Sequence, residues 1–369
     1  MHKVHLTYRL GRGESGTGQG EALAHPLAAL LGAIHGAGSI AGAARSLGLS
    51  YRHVWGELKR WESEFDRPLV QWAKGQPARL APFGEKLLWA ERRAQARLAP
   101  QIEALHAELE RAFAVAFDDE AQVLTMYASH DSALPALREL AARRARLHLD
   151  IQFTGSVGAL EALDAGRCQV AGCHALAGTA ADSPTARAFR PLLEPGLHKL
   201  LACAERTQGL IVAPGNPRSI GTLADLTRDD VRFVNRAVGA GSRILLDELL
   251  ERAAIDPASI AGYATRSEPS HEAVAEAVAS GTADAAFGIE ASARRRGLEF
   301  VALAEERYVL VCLKGALEEP PLLALRELLA SADWRETLAG IAGYSPGDAG
   351  TVLSLTRVFP WWRDRWPKR

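Results

Sequence analysis

Cysteine and methionine are scarce, at 4 and 2 in 369 residues. Cys168, Cys173, Cys203 and Cys312 show no CxxC or metal-ligand spacing, so a zinc site or a disulfide scaffold is not expected. Four reduced, buried thiols in a cytoplasmic protein are expected instead. No apolar run reaches the roughly 18 residues that a membrane span needs. The first residues, MHKVHLTYRLGRGESG, lack the apolar core of a secretory leader. No Gly-rich loop ends in GK[ST], which argues against ATP binding. A charge surplus is lacking too: 43 Lys and Arg face 44 Asp and Glu, a net charge of −1, so the chain is not a purely electrostatic nucleic-acid binder.

What is present is 369 residues of ordinary globular composition, 48% hydrophobic and 24% charged, enough for two or three domains. The small net charge hides an uneven split. Residues 1–115 carry 15 Lys and Arg against 11 Asp and Glu, which leaves 28 against 33 in the remainder. The N-terminal part is therefore the side suited to an anionic partner.

That part contains GSIAGAARSLGLSYRHVWGELKRWE, beginning at Gly38. Ser39 is an N-cap, and Ile40, Ala43, Ala44 and Leu47 follow at helical spacing up to Gly48. Ser50 caps a second helix, whose Val54, Leu58, Trp61 and Phe65 form its inner stripe. Two helices around a Gly-containing turn make a helix-turn-helix pattern. The second helix presents Tyr51, Arg52, His53, Trp55, Lys59 and Arg60 as candidates for double-stranded DNA, joined by the cap residues Ser39 and Ser50, its N-terminal end entering the major groove. PLVQW (68–72) and ARLAP (78–82) read as strands around a turn at Lys74, Gly75, Gln76 and Pro77, a wing whose Lys74 and Arg79 would touch phosphates. A long helix then runs from Phe83 to Phe113. Its Leu98, Ile102, Leu105, Leu109 and Ala112 follow a heptad seam, which predicts a homodimer or a homotetramer.

From residue 121 short apolar strands alternate with helices, the pattern of an α/β domain with a largely parallel sheet. Polar residues gather at the strand ends: Ser129 and His130, then Thr154, Gly155 and Ser156, then His174. Further on come Asn235, Arg236, Gly241, Ser242 and Arg243, then Ser270 and His271. Helix N-termini with Ser and Gly donors favour a small anion, and two arginines add full charge. Each serine before a helix also has the plainer reading of an N-cap, and each histidine that of a hydrogen-bonded core residue. His130 next to Asp131 also admits acid–base chemistry, but no activated nucleophile, metal cluster or nucleotide loop accompanies it. The chain is not expected to be an enzyme.

Two resemblances run through these segments. Residues 23–113 resemble the winged-helix domain of LysR-type and, more closely, ModE-type transcription regulators, on Gly38-Ser39-Ile40, Ala43-Ala44, Leu47-Gly48, Ser50-Tyr51, Trp55, Pro68-Leu69-Val70 and Leu80-Ala81-Pro82-Phe83-Gly84. The leading VHLTYRL (4–10) is also similar to a ModE strand. Residues 122–355 resemble the PBP-like, type II periplasmic-binding domain found with molybdate-type regulators and molybdopterin-biosynthesis proteins. The matching stretches are SHDSAL (129–134), FTGSVGAL (153–160), GLIVAPGNP (209–217), FVNRAVGAGSR (233–243), SHEAVAEAVASGTADAAFGIEA (270–291) and GYSPGDAGTVLSL (343–355). The chain has Gly-Ala-Gly-Ser-Arg at 239–243 where relatives tend to carry Gly-Ser-Gly-Thr-Arg, and it has nothing like the small molybdate-binding β-barrels of ModE.

The resemblances imply an α/β protein of three parts: a winged helix-turn-helix over 1–82, a dimerisation helix over 83–117, and a two-lobed domain over 121–369. Lobe one would comprise 121–205 with 292–369, and lobe two 206–291. They imply a one-component regulator with no required cofactor or metal. Its effector would be molybdate, tungstate, a molybdopterin-type cofactor or another small anion. The alternatives are a LysR-like sensor of an organic acid and a molybdenum-cofactor-handling protein. WWRDRWPKR (361–369) is expected to pack its tryptophans on lobe one.

Overall fold

The computed structural model describes residues 25–72, 77–117, 121–176 and 178–362. The expected strand at 4–10, the turn residue Lys74 and the tail beyond Trp362 lie outside the described residues. The chain divides into two compact units, Met1–Ala99 and Pro100–Arg369.

In the first unit, α1 (Pro26–Ala37) starts on a proline and stops at Gly38, whose φ of 65° suits a residue without a Cβ. The Ser39 hydroxyl accepts from Gly42 N and opens α2 (Ile40–Ser46). The Ser50 hydroxyl accepts from His53 N and opens α3 (Tyr51–Phe65). Leu31, Ile34, Ile40, Ala43, Val54 and Leu58 meet in one buried cluster. Trp61 and Phe65 only pack against its edge. The wing is an antiparallel pair, β1 (Val70–Gln71) with β2 (Arg79–Leu80), each shorter than the sequence pattern predicts. Helix α4 runs from Pro82 to Phe117, past the Phe113 end of the helical pattern and up to the end expected for the dimerisation segment.

The second unit is built on one mixed sheet. Its strands, in chain order, are β3 (Gln122–Ala128), β4 (Leu147–Phe153), β5 (Val170–Leu176), β6 (His198–Val212), β7 (Phe233–Arg236), β8 (Ser267–Glu268), β9 (Ala285–Ile289), β10 (Glu299–Leu313), β11 (Tyr344–Ser345) and β12 (Val352–Leu353). The main spatial order is β4-β3-β5-β10-β6-β9-β7-β8. The expected parallel pairing holds in two blocks, β4-β3-β5 and β9-β7-β8. Between them β5, β10, β6 and β9 pair antiparallel. The reason lies in β6 and β10, each 15 residues long, which run as a crossing pair through both blocks.

Helices that position the polar strand ends are α5 (Leu134–Ala145), α6 (Ser156–Asp164), α8 (Gly241–Arg252) and α9 (His271–Ala279), with α7 (Pro184–Phe189) between the second and third. Leu124, Met126, Leu149, Leu310 and Trp334 fill one side of the first block, and the Trp334 indole donates to Cys203 O at 2.9 Å. Trp361 and Trp362 are buried with Phe189, Leu353 and Phe359, as their expected packing role requires. All four cysteines are buried and unbridged.

Candidate functional site

Two polar regions stand out, one in each unit. On α3, Tyr51, Arg52, His53, Lys59 and Arg60 are exposed, Trp55 is half-buried, and Arg79 is exposed on β2. Ser39 and Ser50 spend their hydroxyls on helix caps. Tyr51 stacks on Trp55 with ring centroids 6.4 Å apart, and Trp55 packs on Trp72 at 5.2 Å. Lys59 and Arg60 already hold internal partners: Lys59 Nζ lies 2.7 Å from Glu62 Oε2, and Arg60 Nη2 lies 2.5 Å from Glu57 Oε2.

The second region is buried. Ser129, Asp131, Ser156, His174, Arg206, Gln208, Asn235, Arg236, Ser242, Ser270, His271 and Glu306 are all nearly inaccessible. Two helix N-termini converge here, and neither α6 nor α8 has a side-chain cap. They approach so closely that a Cβ on Gly155 would lie 2.5 Å from Gly239 O. A Cβ on Gly241 would lie 2.8 Å from both Ser156 Oγ and His174 Nδ1. Glycine is therefore required at both positions by close approach, since their backbone angles are ordinary.

His174 is held by Ser129 Oγ at 3.2 Å and lies parallel to the Tyr308 ring, with centroids 4.6 Å apart. His271 faces Ser242 Oγ at 3.4 Å. Burial lowers the affinity of both imidazoles for a proton, and neighbouring guanidiniums lower it further. Both rings are thus neutral near pH 7. Arg236 donates from Nη1 to Glu268 O at 3.2 Å. Burial and the nearby Arg206 bring the Arg236 guanidinium down to about 9. Asn235 anchors the end of β7, accepting from Arg236 N at 2.9 Å.

Arg206 is the centre of the network and is absent from the residues the sequence suggested. Its Nε lies 2.5 Å from Glu306 Oε1, and its Nη1 pairs with Asp131. Tyr344 OH donates to the same Asp131 carboxylate at 2.9 Å, and Gln208 Nε2 donates to Glu306 at 2.5 Å. Burial opposes the charge of Asp131, but Arg206 and His174 outweigh it and hold the carboxyl well below the usual range. Asp131 is thus engaged by Arg206 and Tyr344, and the neighbouring His130 ring packs on Phe153 with centroids 5.2 Å apart. Several buried atoms of the cluster have no hydrogen-bond partner among the described residues: Ser156 Oγ, His174 Nε2, Arg206 Nη2, Arg236 Nε, His271 Nδ1 and Tyr308 OH.

Two residues of the sequence-based set sit at the margin. Thr154 is half-buried and its backbone N–H extends the sheet, donating to Ala128 O at 2.8 Å. Arg243 points away to Tyr263, its guanidinium 3.9 Å from that ring's centroid, and pairs with Asp247 at 3.3 Å. Ser270 caps α9 by accepting from Ala273 N. The signal for the missed residues was in the strands: ERTQ and EER interrupt the long apolar runs of β6 and β10. No group of His, Cys, Asp and Glu able to hold a metal occurs among the described residues.

Residues 28–85 match the family described as bacterial regulatory helix-turn-helix protein, lysR family. Residues 137–330 match the PBP superfamily domain. The chain is 33% identical over 209 residues to the uncharacterized protein YvgK of Bacillus subtilis, covering 56% of this chain and 65% of that protein's length. It is 38% identical over 112 residues to an uncharacterized protein from the ferredoxin 2Fe-2S gene 5′ region of Clostridium pasteurianum, covering 30% of this chain and 98% of the relative. Among solved structures, an OxyR C206 mutant from Corynebacterium glutamicum aligns over 85% of this chain and 92% of its own, with 18% identity and a TM-score of 0.42. The chain belongs to the PBP superfamily and joins that domain to a segment that matches the lysR-family regulatory helix-turn-helix.

Proposed function

We propose that this protein is a one-component transcription regulator that binds double-stranded DNA through α3 and the wing and responds to a small oxyanion bound among Arg206, Arg236, His174 and His271. The observation that carries the effector reading is the Arg236 guanidinium, buried with an unpartnered Nε beside two uncapped helix N-termini. Burying a cation is costly unless something compensates it. An anion accepting from Arg236 Nε, Arg206 Nη2 and Ser156 Oγ would do so. The two neutral imidazoles can each donate to the same oxygens. Thr154, Gly155 and Gly241 belong to the helix ends that would frame this anion, while Arg243, committed to Tyr263 and Asp247, would not contact it.

The resemblance of residues 122–355 to molybdate- and molybdopterin-associated domains makes molybdate, tungstate and molybdopterin cofactor the first effectors to test. The Tyr308 ring, stacked on His174, favours an organic anion as the second reading. The lobes, 121–205 with 292–369 and 206–291, would respond by favouring the arrangement that holds the anion. Leu105 is 54% exposed and Phe113 41% exposed on α4, which supports pairing with a second copy through that helix.

Thermal melting of the full chain with molybdate, tungstate, sulfate, phosphate and molybdopterin cofactor tests the effector reading. A ligand at a hundred times its dissociation constant should stabilise by about 2.7 kcal/mol. Arg236→Gln should abolish that gain. No shift with any of the five would sink the oxyanion reading, and a shift with an organic anion alone would move it to the second.

A further inference from the structure

We infer that Lys59 and Glu62 form a clamp that holds the wing against α3, so that Lys59 is a positioning residue of the DNA interface and not a phosphate contact. This rests on the DNA-binding reading of the first unit. Glu62 lies one turn beyond Lys59, and its two carboxylate oxygens do different things. Oε1 accepts from Leu69 N at 2.8 Å and from Val70 N at 3.2 Å, the residue before β1 and the first residue of it. Oε2 accepts from Lys59 Nζ at 2.7 Å.

The same Nζ lies 4.8 Å from the centroid of the Trp55 ring on α3 and 5.5 Å from that of Trp72, just past β1. One carboxylate therefore grips the wing's backbone, while the cation it binds lies against one ring from the helix and one from the wing. Trp55, Lys59 and Glu62 fall at i, i+4 and i+7, a single face of α3.

The wing needs such an anchor. Its strands are two residues each, too short for a ladder to fix their own position. An exposed i, i+3 ion pair alone contributes little. Here the pair is joined to two backbone donors and two rings, so its parts act on one element. The carboxyl of Glu62 reflects this: burial would raise it, but Lys59 and the N–H groups of Leu69 and Val70 hold it below its usual value.

The sign of one substitution separates the clamp from simple electrostatics. Binding of the full chain to a random-sequence duplex would be measured against salt, with melting curves confirming that each variant folds. Glu62→Gln removes a negative charge near the DNA-facing helix. If that charge acted only through its field, the variant would bind more tightly. The clamp predicts weaker binding, by about fivefold, the equivalent of roughly 1 kcal/mol.

Lys59→Met should weaken binding while leaving the slope of log affinity against log salt unchanged. A phosphate contact would instead lose about 0.9 from that slope. Lys59→Arg should restore affinity, because a guanidinium can meet both the carboxylate and the rings. Trp72→Ala changes no charge at a position 48% exposed, and should repeat the Lys59→Met result. Tighter binding by Glu62→Gln, or a shallower salt slope for Lys59→Met, would overturn the clamp.

Discussion

Arg60 and Arg206 each hold a glutamate oxygen at 2.5 Å, but in opposite surroundings. The Arg60 side chain is 64% exposed on α3, while that of Arg206 is completely buried where β6 crosses the sheet. Water competes for Arg60, so its pair can be exchanged for a phosphate at little cost. Arg206 has no such alternative. It is held in place by Asp131 and Glu306, and its remaining nitrogen, Nη2, is buried with no hydrogen-bond partner among the described residues. The first unit keeps its charge loosely held and reachable, as the proposed DNA-reading surface requires. The second keeps its charge buried and incompletely satisfied. Such an arrangement weakens a fold by itself, and the anion proposed above would offset that cost.

The largest expected effect comes from breaking the buried side of this contrast. Asp131→Ala would leave Arg206 with one carboxylate in a dry environment and Tyr344 OH without its acceptor. A loss of about 3–5 kcal/mol is expected for the second unit. Denaturant unfolding followed by the fluorescence of the buried tryptophans Trp334, Trp361 and Trp362, with the first-unit tryptophans Trp55, Trp61, Trp72 and Trp89 replaced by Phe, would read it. A loss under 1 kcal/mol would mean that water reaches Arg206. Next in size is Gly241→Ala. The added methyl would meet His174 Nδ1 and Ser156 Oγ, neither at the end of a flexible chain. Overpacking of this kind costs about 1–3 kcal/mol, and the variant should also lose the effector-induced rise in melting temperature. A variant that melts lower yet responds fully would move the anion away from the α6 and α8 N-termini.

Acid should act on the two units differently. His174 and His271 bind protons less readily in the folded chain than in the unfolded one. Between an unfolded value near 6.5 and the lower folded values, the unfolded state therefore holds more protons. The stability that depends on their neutrality is complete above about pH 6.5 and falls as pH drops below it. Asp131 adds a second loss further down, as pH falls below the ordinary aspartate range toward its depressed folded value. Denaturation midpoints between pH 7.5 and 5 should fall, and His271→Gln should flatten that slope. An unchanged slope in the variant would place the proton-linked loss elsewhere.

Much of this layout was legible because it rests on local rules. Ser39 and Ser50 announce α2 and α3 by position alone, and the polar residues after β3, β4, β5 and β7 mark the strand ends where a ligand sits in open α/β sheets. The parallel blocks follow from alternating strands and helices. The antiparallel centre does not, because nothing local to β6 or β10 says which strands they cross. Arg206, Glu306 and Tyr344 escaped for the same reason: they come together across three separate strands, Arg206 and Glu306 each reading by itself as an interruption of an apolar run and Tyr344 as part of the turn-rich stretch GYSPGD. Glu62 escaped because its partners on the wing are backbone N–H groups, which carry no side-chain signature. His271 and Arg236 were legible as residues, but not as a neutral ring beside a weakened cation, since that depends on burial.

The smallest expected effect lies on the exposed side of the contrast and sharpens it most. Arg60→Ala removes an i, i+3 pair that solvent already weakens, so stability should change by no more than about 0.5 kcal/mol. If Arg60 serves as a reachable charge, duplex DNA binding should weaken across all sequences, and the salt slope should fall by about one. That is the signature that Lys59→Met should lack, although the two residues are neighbours on the same helix and each is paired to a glutamate three residues away. The difference between them is the company each cation keeps. Arg60 lies 5.0 Å from the Trp61 ring on its own helix, whereas Lys59 lies between rings of the helix and the wing. If both variants lower the slope equally, α3 presents two equivalent phosphate contacts and the wing is held by Glu62 alone. If only Arg60→Ala lowers it, one helix carries two lysine-or-arginine pairs of the same form, one for reaching DNA and one for holding the surface that reaches it.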